Sequence, residues 1–147
     1  MVYVDTSLLA AYYTPEPLSG KAEDFLIGQE GLAISSLTEL EFFSALSRKV
    51  REEGLRPMDA KKIASRFLSH VDGNFFKYLT VETRHFRLAR DWLGLFNTSL
   101  RSLDALHLAV ATSQGLAVAT ADLKFSQSAR AMGLEVLFLS FDIPAIE

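Results

Sequence analysis

The chain has 147 residues, 49% hydrophobic and 22% charged, with 18 acids against 15 bases and no cysteine. That size suits one domain with a real core. The composition excludes a disordered polyelectrolyte, a disulfide framework, a thiolate metal site and a cysteine nucleophile.

Val2-Tyr3-Val4 reads as a buried strand, so no leader is expected ahead of it, and it ends on Asp5. From Thr6, the residues Leu8, Leu9, Tyr12 and Tyr13 predict a helix that Pro15 and Pro17 close. Ser19 or Gly20 opens a second helix through Ala22, Phe25, Leu26 and Ile27. Ala33-Ile34 is a brief strand. After it, Ser36 and Glu39 have capping-box spacing, and a helix follows with Leu40, Phe43, Ala45, Leu46 and Val50 on its apolar stripe. Gly54 ends that helix, and Pro57 starts another that holds Ile63, Phe67 and Leu68. Gly73-Asn74 makes a turn into an aromatic-rich strand over 75–81. A strongly patterned helix is expected over 83–96, with Trp92 in the core. Ser102 then caps a helix that stops near Gly115. A strand over 116–120, a helix around 126–132 and a strand over 136–139 complete the pattern, with a loose tail over 141–147. Five strands alternating with helices predict one α/β domain, 1–147, around a parallel sheet with right-handed crossovers.

No apolar run approaches the ~20 residues that span a bilayer. The best, 106–111, is interrupted by His107, and the cytoplasm is the expected compartment.

In an open α/β sheet, ligands bind beyond the carboxyl ends of the strands, at a topological switch point. Asp5 and Asp122 follow strands directly, and Asp104 lies in the first turn of a helix. Each has a plainer reading as a helix cap, a favourable end of a macrodipole or a turn acid; their joint placement carries the argument. Glu39 and Glu41 compete for a fourth place. A capping box would account for Glu39, whereas Glu41 has no local explanation and is the stronger choice. Carboxylates so crowded need a compensating charge. A hard cation such as Mg²⁺ supplies it, and such a site can activate water against a phosphodiester. Setting these four acids aside turns the net charge from −3 to +1, so the acidic total does not exclude a nucleic-acid substrate.

Four segments, in order, carry a resemblance: Val2-Tyr3-Val4-Asp5-Thr6-Ser7, Ser36-Leu37-Thr38-Glu39-Leu40-Glu41, Leu103-Asp104-Ala105-Leu106-His107-Leu108-Ala109 and Ala119-Thr120-Ala121-Asp122-Leu123-Lys124-Phe125. Together they resemble the PIN-domain family, most closely its VapC-like ribonuclease toxins, from Val2 to about Leu139. The resemblance implies an Mg²⁺- or Mn²⁺-dependent endoribonuclease with Asp5, Glu41, Asp104 and Asp122 as the acidic cluster. Asp5, Asp104 and Asp122 would hold the metal, with the hydroxyls of Thr120 and Thr6 in support. It also implies a homodimer and inhibition by a small cognate antitoxin. One departure is Lys124, where many relatives carry another acid; a second firmly held metal is in question, and the lysine suits a phosphate.

His107 shares a helix face with Asp104, and a packed or hydrogen-bonded histidine is favoured over a ligand. His70 and His85 have no metal spacing. Arg48, Lys49, Arg51 and Arg101 can track a phosphate backbone or simply form solvated helix ends. Tyr12, Tyr13, Phe42 and Phe43 exceed what two amphipathic helices need. They divide between the core and a dimer or antitoxin surface. Two rivals remain: a non-catalytic protein- or RNA-binding module, and a metal-dependent phosphatase or DNA nuclease on a similar sheet.

Overall fold

Along Val2–Val4, which forms β1, side chains alternate between two cores: Val2 and Val4 enter one, Tyr3 the other, and none is more than 5% exposed. A strand covered on both faces belongs in the middle of a helix-flanked parallel sheet. The computed structural model, which describes residues 1–140, places it there. With β2 (Leu32–Ser35), β3 (Lys77–Leu79), β4 (Ala117–Thr120) and β5 (Val136–Phe138), it forms a parallel sheet in the order β3-β2-β1-β4-β5. The chain builds outward through β2 and β3, then crosses back to the other side of β1. The gap between the carboxyl ends of β1 and β4 is therefore the switch point. The tail expected over 141–147 lies outside the described residues.

Seven helices are described: α1 (Thr6–Tyr13), α2 (Ser19–Ile27), α3 (Ser36–Arg51), α4 (Pro57–Asp72), α5 (Thr83–Leu93), α6 (Ser102–Ser113) and α7 (Leu123–Ala131). Helices α1 to α4 cover one face, through Leu8, Leu26, Phe42 and Phe67 among others. Helices α5 to α7 cover the second, through Ala89, Leu108 and Phe125. Trp92 is partly buried against this second core. Gly115 and Gly133 take left-handed φ of 68° and 78° just beyond α6 and α7, which turns the chain into β4 and β5. The result is one α/β domain of the expected architecture. Among the described residues no helix is long and apolar enough to cross a membrane.

Besides small shifts in the limits of α7, which begins at Leu123, and of β4 and β5, five local expectations needed correction. The cap of α3 is Ser35, not Ser36: its hydroxyl accepts from the Thr38 amide, while the Thr38 hydroxyl accepts from the Ser35 amide. The buried stripe of α3 is accordingly Thr38, Phe42 and Leu46, spaced by four, and Leu40 and Phe43 face solvent. The strand expected over 75–81 contracts to three residues, because β2, its one partner among the described residues, turns into α3 after Ser35 pairs with Leu79. The helix expected over 83–96 ends at Leu93, where Gly94 caps it. Ser102 is the first helical residue of α6 rather than its cap; Arg101 holds that position without a side-chain bond.

Candidate active site

Asp5 sits where β1 gives way to α1, at the N-cap position, yet its side chain caps nothing. It is 7% exposed, and its Oδ2 accepts from the Ser7 and Thr120 hydroxyls, each at 2.8 Å. A buried carboxylate needs such donors. Thr120 Oγ1 also accepts from the Asp122 amide at 3.0 Å, and Ser7 Oγ accepts from the Ala121 amide at 3.0 Å. Hydroxyls thus stitch the ends of β1 and β4 across the switch point. Asp122 does cap α7, accepting from the Phe125 amide at 3.1 Å, while also lining the crevice there.

Glu41 reaches the same crevice from the second turn of α3. Its Oε1 accepts from the Thr6 hydroxyl at 2.9 Å and is hydrogen-bonded by His107 Nε2. Burial opposes its ionisation, but the bond and charge of His107 and the Thr6 hydroxyl outweigh it and hold the carboxyl below its ordinary range. His107 is 1% exposed, and its Nδ1 lies 2.6 Å from the Tyr3 hydroxyl, which also bonds Ser35 Oγ at 2.7 Å and Thr38 Oγ1 at 3.1 Å. With Glu41 ionised, Nε2 donates to it, while Nδ1 faces the Tyr3 hydroxyl. Burial pushes the Tyr3 phenol far up; Asp5 and Glu41 add to this, and Ser35 and Thr38 only partly offset it, so the hydroxyl stays protonated. The relay runs from the α3 cap, through β1 and α6, to Glu41.

Asp104, in the first turn of α6, completes the cluster. Burial and the negative charges of Asp5, Asp122 and Glu41 push its carboxyl up to about 6, against a smaller opposing effect of His107. Four carboxylates thus face one crevice, whose rim carries Arg48 and Arg101; Lys124 lines the adjoining depression beside Asp104 and Asp122. An all-oxygen donor set short of positive charge suits a hard divalent ion. Among the described residues no three His, Cys, Asp or Glu side chains converge tightly enough to encage one alone. The fit is to a cation held by one or two carboxylates, with water filling the remaining positions.

Asp5, Glu41, Asp104 and Asp122 are therefore brought together, and Thr6 and Thr120 contact two of them. Glu39 is not among them: it accepts from the Tyr78 hydroxyl at 3.0 Å and lines a separate surface groove with Leu40 and Phe43. His70 and His85 are engaged elsewhere, by Tyr13 and by Glu82 and Ser113. Ser7 and Tyr3 were not singled out from sequence. A hydroxyl two residues past a strand-ending acid, and a tyrosine inside an apolar strand, are the signals that point to them.

A parallel α/β sheet with carboxylates gathered at its switch point defines a class of clustered-acid α/β proteins. The sequence profile of the PIN domain matches residues 2–131. Ribonuclease VapC46 of Mycobacterium tuberculosis (strain ATCC 25618 / H37Rv) is 30% identical over 139 residues, which cover 92% of this chain and 95% of that protein. The chain belongs to the PIN-domain family. Among solved structures, Mycobacterium tuberculosis VapC20, a Sarcin-Ricin loop cleaving toxin, superposes with a TM-score of 0.69 at 22% identity, covering 91% of this chain and 96% of its own. VapBC-5 from Mycobacterium tuberculosis, a member of the VapBC family of toxin-antitoxin systems, gives 0.60 at 20% identity, covering 94% and 98%.

Proposed function

We propose that this protein is a metal-dependent endoribonuclease acting in the cytoplasm as the toxin of a toxin–antitoxin pair, in a homodimer restrained by a cognate antitoxin. The observation that carries the chemistry is the convergence of Asp5, Glu41, Asp104 and Asp122 on one crevice at the switch point. The likeness to a VapC ribonuclease over nearly the whole chain supports RNA as the substrate, and the VapBC neighbour supports an antitoxin partner.

In this reading Asp5, Asp104 and Asp122 hold Mg²⁺ or Mn²⁺, directly or through water. The bound ion supplies neutralisation of the crowded carboxylates and acidification of a water at neutral pH. Thr120 and Ser7 fix the rotamer of Asp5. Thr6 and His107 fix one oxygen of Glu41, leaving Oε2 to orient the attacking water and take its proton. Arg48 and Arg101 on the rim hold phosphates of the RNA.

The test is cleavage of a structured RNA pool that includes tRNA, with Mg²⁺ or Mn²⁺ and with EDTA, beside Asp5→Asn and Asp104→Asn variants. Discrete products that vanish with EDTA and in both variants are expected. No cleavage by folded, inhibitor-free protein would shift the assignment to a non-catalytic binding module. A preference for DNA or small phosphate esters would assign a different substrate class.

A further inference from the structure

Beyond α5 the chain does something locally unfavourable. Phe96 adopts φ of 54°, a left-handed conformation that crowds its Cβ and that glycine would take without strain. Its ring gains nothing from the fold in return, since the residue is 91% exposed. Leu95 beside it is 65% exposed. A strained backbone carrying a bulky exposed aromatic points to a use outside the protein's own packing.

Its position says which use. Leu95 and Asn97, on either side of Phe96, line a groove that runs along α7. That groove shares Ser99, Lys124 and Ser128 with the depression beside Asp104 and Asp122, and Ser99 and Ser128 hydrogen-bond at 2.9 Å where the two meet. One continuous track therefore leads from the acids, past a lysine and hydrogen-bonding side chains, to Leu95 and Asn97, the chain neighbours of an exposed aromatic that stands just outside the lining. A cation for phosphates, polar groups for base edges and a ring for stacking are the components of a single-strand nucleic-acid track. Trp92, Leu95, Ala131 and Met132 give the groove apolar surface for base faces, and the polar side chains and lysine beside them distinguish it from a purely apolar docking surface.

We propose that this track takes a single-stranded segment of the RNA flanking the scissile phosphate, and that Phe96 is a positioning residue on which a base stacks. The inference takes its ligand from the ribonuclease reading, but its test does not depend on turnover. Phe96→Gly, Phe96→Leu and Phe96→Tyr are made in an Asp104→Asn background. Each is titrated into a short fluorescein-labelled single-stranded RNA, and into the same RNA annealed to its complement, with anisotropy as the readout. Glycine and leucine should weaken single-strand binding about five-fold or more, tyrosine should restore it, and duplex binding should change little. Melting of the glycine variant should be unchanged or raised, because the substitution relieves the left-handed strain. A merely structural Phe96 predicts the opposite pairing of stability and affinity.

Equal binding by all three variants overturns the proposal, as does equal loss for single strand and duplex. It also falls if Phe96→Gly keeps its RNA affinity but changes sedimentation or antitoxin binding, which assigns the ring to a protein contact. Phe96-dependent binding without cleavage by the native protein upholds the track and removes the nuclease. Cleavage that is indifferent to Phe96 does the reverse.

Discussion

Asp104 weakens the fold it belongs to. Its carboxyl, pushed up to about 6 by burial and then by Asp5 and Asp122, holds its proton well above the ~3.9 of an unfolded chain. Folding therefore takes up a proton between those values. Stability falls as pH rises through that window, and the whole penalty applies above about 6. Asp104→Asn should accordingly raise stability in EDTA at neutral pH by about 1–2 kcal/mol, after allowing for solvent screening, and flatten the dependence between about pH 4 and 6. Thermal melts of both proteins across that range check it; a variant less stable than the parent at neutral pH would refute the crowding. The acids themselves were legible in the sequence. Asp5 and Asp122 end strands, and Glu41 had no local reason to be where it is. The hydrogen bonds that aim them were not. Tyr3 meets His107 from 104 residues away and Ser7 meets Thr120 from 113, and no local pattern encodes such pairs.

At the scale of elements, apolar periodicity located each strand and helix, and errors gathered where tertiary contacts set the limits. β3 is shorter than its aromatic content suggests because β2 offers it only three residues of ladder. The apolar stripe of α3 was misread because Leu40 and Phe43 are as hydrophobic as Phe42 and Leu46, and only the sheet beneath selects between them. The cap slipped by one residue because Ser35 and Ser36 are identical in chemistry and differ in what surrounds them. That difference can be measured. Ser35→Ala removes a buried cap that also bonds Tyr3 and should cost about 1–2 kcal/mol, whereas Ser36→Ala, on the exposed side, should stay within about 0.5. Urea denaturation midpoints of the two variants, compared at equal slope, decide it.

For the whole molecule, the order β3-β2-β1-β4-β5 puts Asp5 just beyond the carboxyl end of the central strand and makes its surroundings a junction of both cores. An ion bound there should hold that junction together. Mg²⁺ or Mn²⁺ at about 100 times its dissociation constant should stabilise the protein by about 2.7 kcal/mol, a rise of several degrees in melting temperature. The gain should vanish with EDTA and be largely lost in Asp104→Asn; equal gains in both proteins would place the ion elsewhere. The same topology also governs the protein during its own synthesis. Asp5 receives its Thr120 hydroxyl from 115 residues further along. Asp5 and Glu41 are translated early, but the crevice has no second wall until β4 leaves the ribosome and docks beside β1. On the ribonuclease reading, the nascent chain is inert in the midst of the RNA that makes it, and its crevice is complete only when that strand arrives.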